Sequence, residues 1–453
     1  TRDGGGTIIN GTFDWVYEEE LDDRDGFRWS PDGKSIAYWQ SDTKGVGTFY
    51  LINNTDSNYS KPLPFPYPKL GTTNSAVKVG VVAATGGATK WFAVPGEPRN
   101  NYLARMDFIP GSNEVMIQQL NRLQNSNKVW IGNTKTMQLK LLFTETDSAW
   151  VDIHDDIVWL DNNKSFTWTS ERDGWVHLYK VSRDGKEIKS ITKGNFDVVN
   201  INCIDPAGGY VYYIASPDNF TQRYLYRSRL DGTGEAERVS PAAMSGQHSY
   251  QISADAKYAI HSFENAQTPR RISLIDLSTH KEIKLLEDNT ALKARISELG
   301  LRPKEFIKVD IGPVVLDAWM IKPIQFDPQK KYPVIDQTYT GPHTNMYPRS
   351  YTTALSRNNQ PLAELGFIVI TVDGLGTAGR SKAFHNVSYK NMGKNLEDHR
   401  LAILQLGRKN PWMDTTRVGI FGHSAGGYDA GHAVLEYPDF YKVAVASSAD
   451  HDF

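Results

Sequence analysis

A loosely repeated unit constrains this chain more than any other feature. "FRWSPDGKSIAYWQ" at 27–40 returns as "MDFIPGSNEVMIQQ" at 106–119, "IVWLDNNKSFTWTS" at 157–170, "INCIDPAGGYVYYI" at 201–214 and "YQISADAKYAIHSF" at 250–263. Each copy reads as a strand, a turn of Pro, Asp, Asn or Gly, and a second strand, with aromatic and β-branched residues alternating with polar ones. The last four copies start 44 to 51 residues apart, which suits one four-stranded propeller blade per repeat. Similar hairpins also build β-sandwiches, but the regular spacing favours the propeller. Four or five blades are countable over residues 1–285, fewer than a closed ring usually takes, so further blades are expected before Thr1.

Near residue 288 the pattern changes. "NTALKARISELGL" has helical character, and from there strands such as "YPVIDQTY" (332–339), "FIVITVDG" (367–374) and "YKVAVASSA" (441–449) alternate with helices such as "GKNLEDHRLAILQLGRK" (393–409). Alternation of this kind predicts a mostly parallel sheet covered on both faces. The expected fold is an all-β propeller of residues 1–285, incomplete, followed by an α/β-hydrolase domain of residues 286–453, also incomplete. A length of 453 residues agrees with more than one domain.

Within the second part, Gly422-His423-Ser424-Ala425-Gly426 fits the G-x-S-x-G elbow directly after the strand "RVGIF" and directly before a helix. A nucleophile held in so sharp a turn needs small neighbours, because side chains at the flanking positions would strike nearby backbone. The Ala425 N–H at the helix start is placed to donate to an oxyanion. Serine also needs a histidine base oriented by a carboxylate, and in an α/β-hydrolase both follow it in the chain. The residues after Ser424 include His432 on the next helix, and Asp450, His451 and Asp452 at the end of the next strand. Neither His423 nor His432 is expected to be the base. Base and orienter are expected beyond Phe453, and this chain alone is expected to be inactive.

The remaining features exclude more than they assign. Formal net charge is -2 with dispersed Lys and Arg, so nucleic acid and anionic membrane surfaces are not indicated. No apolar run approaches the roughly 18 residues of a membrane span. Cys203 is the only cysteine, which rules out an internal disulfide framework and reads as a small buried hydrophobe. No metal-ligand cluster, phosphate-cradling loop or cofactor word is present, and "DGLGTAG" at 373–379 does not match G-x-G-x-x-G. The acidic run in "FDWVYEEELDDRDGFRWSPDG" (13–33) is unusual for a strand entry. Taken alone the run reads as a solvated acidic turn; clustered carboxylates repel, and the grouping makes sense instead where a cation binds between them.

The words "DWVYEEE" (14–20), "WSPDGKSIAY" (29–38), "PYPKLGTTNSAVKVGVV" (66–82), "KKYPVIDQTYTGPH" (330–343), "VDGLGTAGRSKAF" (372–384), "LEDHRLAI" (396–403) and "GHSAGGY" (422–428) run in order over nearly the whole chain. Together they resemble the dipeptidyl peptidase IV branch of the prolyl oligopeptidase family, an eight-bladed propeller with an α/β-hydrolase. The resemblance implies a serine exopeptidase that releases N-terminal dipeptides after Pro or Ala. It implies that Glu19 and Glu20 grip the free α-ammonium of the substrate, that Ser424 is the nucleophile, and that Tyr339 joins the Ala425 N–H as oxyanion donor. Partners implied are peptides with a free N-terminus and, since family members often dimerise, a second copy of the chain. Family habit implies export to a periplasm or cell surface. Two departures stand out. Family elbows usually read Gly-Trp-Ser-Tyr-Gly where this chain has His423 and Ala425, so an aromatic wall of the pocket for the penultimate residue is lost. Leu375 stands where arginine is common. The altered pocket also fits another acyl hydrolase or aminopeptidase, and a catalytically dead binding protein is the alternative from outside the enzymes.

Overall fold

The computed structural model describes residues 1–302, 304–341, 343–347, 349–356 and 359–451. They divide into two compact units, Thr1–Trp168 with Lys180–Lys189, and Thr169–Tyr179 with Ser190–Phe453.

The first unit is built from antiparallel sheets. Its first sheet centres on Ser35–Asp42, which pairs along one edge with Ala76–Ala83. The other edge takes two short strands in succession, Ile8–Asn10 against residues 40–42 and Phe27–Trp29 against residues 36–38. Between them the chain leaves the sheet at Gly11 and re-enters at Gly26. Three backbone bonds close the gap: Gly11 N–H to the Trp39 carbonyl (3.0 Å), Trp39 N–H to the Gly26 carbonyl (3.0 Å) and Gly26 N–H to the Gly11 carbonyl (3.1 Å). A Cβ on Gly26 would lie 2.6 Å from the Gly11 carbonyl carbon, so the crossing requires glycine. Helix α1 (Trp15–Glu20) rides on this excursion. A four-stranded sheet follows, in spatial order Leu139–Thr146, Ser126–Asn133, Glu114–Asn121 and Asn101–Phe108. Trp39, Leu103, Ile117 and Leu120 form one buried cluster with the residues of both sheets. The Trp39 indole N–H donates to the Leu103 carbonyl at 2.8 Å, which satisfies the one polar atom this ring brings into the core.

The unit boundary passes through a third sheet of Trp159–Leu160, Ser165–Ser170, His177–Ser182 and Ile188–Ser190. The second unit adds two more four-stranded antiparallel sheets, over Asn200–Arg238 and Gln247–Glu287. The five sequence copies fall on the first hairpins of these sheets or, in the first sheet, on Phe27–Trp29 and Ser35–Asp42. Two of their turns share one chemistry. Ser30 Oγ donates to Asp32 at 2.7 Å and Ser253 Oγ to Asp255 at 2.7 Å, while the same carboxylates accept from the Lys34 and Lys257 N–H groups. Short polar side chains that bond their own backbone are what such turns select.

The second unit ends in a six-stranded sheet of β1 (Glu305–Asp310), β2 (Val315–Ile321), β3 (Tyr332–Gln337), β4 (Ile368–Asp373), β5 (Met413–His423) and β6 (Tyr441–Ser447), in spatial order β1-β2-β4-β3-β5-β6. The pairs β3/β4, β3/β5 and β5/β6 are parallel, as the alternating pattern predicts. β1/β2 and β2/β4 are antiparallel, because the short link from Asp310 to Val315 leaves no room for a helical crossover. Every residue of β4 is buried, which matches its unbroken apolar run. Helix α2 (Leu396–Lys409) turns Leu396, Ala402, Ile403 and Leu406 inward and carries Glu397 and Asp398 in its first turn, Arg408 and Lys409 in its last, complementing its dipole. Ala430 and Ala433 of helix α3 (Ala425–Glu436) complete the core with Val334, Ile370 and Val418.

Candidate active site

The parallel pairing of β5 with β3 and β6 determines where Ser424 stands. At the carboxyl end of β5 the chain turns directly into α3, and Ser424 occupies the hinge with φ 57° and ψ −124°, a conformation that a side-chain-bearing residue adopts only at some expense in strain. Its N–H donates to the Ser447 carbonyl at 2.9 Å, and its carbonyl accepts from Gly427 and Tyr428 at 2.8 and 3.0 Å. The residue is exposed, and its hydroxyl bonds to no side chain among the described residues. A Cβ on Gly422 would collide with the Gly426 carbonyl, one on Gly426 with the Thr338 carbonyl, and one on Gly427 would come within 2.5 Å of the Ser447 carbonyl oxygen. The three glycines are therefore demanded by close approach of neighbouring strands.

Tyr339 lies against this turn. A Cβ built on Gly426 would be 3.3 Å from Tyr339 Cα, and one on Gly341 would touch both Tyr339 Cε1 (3.2 Å) and Ala425 Cβ (3.7 Å). Tyr339 is half-buried and Ala425 opens α3. The fold thus brings Ser424, Ala425 and Tyr339 together. The nearby histidines are engaged elsewhere. His423 Nδ1 bonds to Ser447 Oγ at 3.1 Å, His432 stacks on Tyr428 at 5.5 Å, and His451 lies 6.4 Å from the same ring. Asp450 is exposed, and Asp452 lies outside the described residues.

The glutamates sit on α1, in the first unit. Six residues are too few for an isolated helix, so its neighbours must hold it. Asp14 caps it, accepting from the Tyr17 N–H (3.2 Å) and from Ser75 Oγ (2.5 Å). Tyr17 is buried, stacks on Phe13 at 5.3 Å and accepts the Leu103 N–H at 2.9 Å through its hydroxyl oxygen. Arg105 braces the far end, donating to the Leu21 carbonyl (2.8 Å) and to Asp23 (3.1 Å) while also bonding Asp155. With that side anchored, Glu19 and Glu20 project as exposed residues. Protein crowding, and secondarily the Glu19 charge, hold the Glu20 carboxyl above its ordinary value. A cation between the two would relieve that repulsion. Burial pushes Asp23 up to about 7 against the pull of Arg105. Arg105 divides its charge with Asp155, and Asp23 Oδ2 has no hydrogen-bond partner among the described residues. Sequence reasoning found the carboxylates but missed the helix and the Gly11–Gly26 crossing that lifts it from the sheet.

Antiparallel four-stranded sheets of blade type, followed by an α/β-hydrolase sheet with a serine at its elbow, define a propeller-plus-α/β-hydrolase architecture. Residues 1–270 match the family described as "Dipeptidyl peptidase IV (DPP IV) N-terminal region", and residues 353–453 match "Prolyl oligopeptidase family". The chain belongs to the dipeptidyl peptidase IV branch of the prolyl oligopeptidase family. It is 27% identical over 489 aligned residues to the probable dipeptidyl-aminopeptidase B of Emericella nidulans, covering 100% of this chain and 53% of that protein. The crystal structure of Porphyromonas gingivalis dipeptidyl peptidase 4 is similar with a TM-score of 0.84 and 30% identity, over 95% of this chain and 60% of that one. A solved structure from Bacteroides ovatus, 24% identical, matches with a TM-score of 0.86 over 99% of this chain and 66% of that one, a likeness of fold. The chain spans about half the length of the curated relatives it matches.

Proposed function

We propose that the full-length protein is a serine exopeptidase that releases N-terminal dipeptides of Xaa-Pro or Xaa-Ala type, with residues 1–285 as its propeller part and residues 286–453 as its hydrolase part. The observation that carries this reading is Ser424, strained and exposed at a strand-to-helix turn with Tyr339 and Ala425 against it. Its Oγ attacks the scissile carbonyl carbon as its proton passes to a histidine, and the Tyr339 hydroxyl and Ala425 N–H donate to the oxyanion that forms. Return of the proton to the leaving amine breaks the C–N bond, and water releases the dipeptide from the acyl-enzyme. Glu19 and Glu20 hold the substrate α-ammonium, which rewards a free amino terminus and excludes longer extensions. The base and its carboxylate lie outside residues 1–453 in this reading, so the chain alone is slower than the full-length protein by on the order of 10⁶-fold.

Ala425 and His423 favour a second reading, in which the widened pocket accepts a residue other than Pro or an ester. A second copy of the chain is a further proposed partner. It is supported by the hairpin Thr48–Asn53/Lys61–Pro66, which exposes Tyr50, Leu51 and Ile52. The test uses the full-length protein with Ala-Pro and Ala-Ala p-nitroanilides. Hydrolysis that Ser424→Ala abolishes is expected, with Ala-Pro the better substrate. Wild-type turnover by Ser424→Ala overturns the nucleophile assignment, and ester cleavage with neither anilide touched favours the second reading.

A further inference from the structure

Three ionisable side chains are buried without exposure beneath the elbow. Asp336 lies on β3, His399 on α2 and Asp429 on α3, each at 0%. His399 Nδ1 bonds to Asp336 at 3.0 Å, and the Tyr441 hydroxyl donates to the same carboxylate at 3.0 Å. Asp429 Oδ2 accepts from the Thr340 N–H (3.1 Å), from Thr338 Oγ1 (3.3 Å) and from Thr340 Oγ1. Behind these bonds His399 Nε2 and Asp429 Oδ1 are left, a buried donor and a buried acceptor with no partner among the described residues. Burial alone would lower the His399 pKa, but Asp336 first and Asp429 next outweigh it and hold the imidazole above its ordinary value.

Such a triad is a poor device for stability. Well-packed apolar residues of the same volume usually do as well or better than a buried ionic group. Its value lies in what it fixes. β3 ends at Gln337, so residues 338–340 have left the sheet ladder just where Tyr339 must be aimed. Thr338 keeps one backbone bond, its N–H to the Phe421 carbonyl at 3.0 Å, and Asn395 Nδ2 holds the Thr340 carbonyl at 3.2 Å. With the residues on both sides of Tyr339 tied to one carboxylate on the helix that begins after Ser424, the backbone that carries the tyrosine is fixed to the elbow from both sides.

We propose that Asp429, backed by His399 and Asp336, is the positioning residue for the Tyr339 hydroxyl, locking the side-chain oxyanion donor to the helix that supplies the backbone donor. This rests on the reading that Tyr339 serves the oxyanion. It is tested in the full-length protein with Tyr339→Phe, Asp429→Ala, Thr340→Val and the double variant Tyr339→Phe/Thr340→Val, by measuring kcat and KM on an Ala-Pro anilide. A misplacement of about 1 Å accounts for a loss on the order of 100-fold in kcat for Asp429→Ala and roughly tenfold for Thr340→Val, with KM little changed. Thr340→Val keeps the shape of its residue and covers the case in which Asp429→Ala does not fold. The expected result is that the double variant is no slower than Tyr339→Phe alone, because the tether has nothing left to aim. If Thr340→Val multiplies the loss already caused by Tyr339→Phe, or if the single variants raise KM with kcat intact, the positioning role is overturned while the reaction stands. If Tyr339→Phe leaves kcat unchanged although Ser424→Ala abolishes turnover, the oxyanion reading and this proposal fall together.

Discussion

The elbow at Ser424 and the excursion at residues 11–26 both lift polar groups clear of a sheet, and both close on glycines that tolerate no side chain. They differ in what holds the group once it is lifted. At the elbow the backbone is crowded: Ser424 stands at φ 57°, and the carbonyls of Thr338, Gly426 and Ser447 leave no room for side chains at Gly422, Gly426 and Gly427. In the excursion the backbone supplies only the crossing at Gly11 and Gly26, and the aim of α1 comes from side chains, with Asp14 at its start, Tyr17 beneath it and Arg105 at its end. A nucleophile needs a single geometry, which backbone collision enforces. A cation clamp can be set by packing and by hydrogen bonds.

This contrast can be broken by substitution. Gly426→Ala places a methyl on the carbonyl of Thr338, a buried residue held by its bonds to Phe421 and Asp429. A loss of about 3 kcal/mol is expected in denaturant unfolding. Gly26→Ala meets the backbone of a surface excursion that can shift, and about 2 kcal/mol is expected. Equal losses would mean that the excursion is as rigid as the elbow. Tyr17→Phe removes the acceptor of the buried Leu103 N–H, for which about 1 to 2 kcal/mol is expected. A change near zero would show that packing alone aims α1.

A further effect is electrostatic. Asp23 keeps its proton in the folded chain up to about 7, whereas in the unfolded chain it releases it near the ordinary value of 3.8. Its contribution to stability is therefore complete below pH 3.8 and is lost as pH rises through about 7. Asp23→Asn should flatten the fall in Tm between pH 5 and pH 8. An unchanged slope would show that Arg105 compensates the carboxylate fully.

The same contrast explains what could be read from the residues. The elbow was legible because its constraint is local: three glycines and a serine within one word, between a strand and a helix. Strands β3, β4 and β5 were legible from their apolar runs, as were the hairpins from their Pro, Asp, Asn and Gly turns. The excursion was not, because Gly11 and Gly26 are far apart in sequence and meet only once the chain has folded back beside Trp39, and a six-residue helix has too few turns to show a period. The antiparallel entry of β1 and β2 into the sheet was hidden for a related reason, since alternation of strand and helix says nothing about a pair joined by a short turn. The Asp336, His399 and Asp429 cluster joins residues from three separate elements, and nothing in the spacing of a lone Asp on a helix reveals that it bonds the chain on either side of Tyr339.

The central claim is that Ser424 acts on peptides whose free amino terminus is held by Glu19 and Glu20. The most direct measurement compares kcat/KM for Ala-Pro p-nitroanilide with that for its N-acetyl form, in the full-length protein and in Glu19→Gln/Glu20→Gln. Both glutamates are exposed, so the variant should unfold within about 0.5 kcal/mol of the wild type. A preference for the free amine on the order of 100-fold, largely lost in the variant, is the predicted result. Equal cleavage of the two substrates by the wild type, or a preference that survives the double substitution, would contradict it.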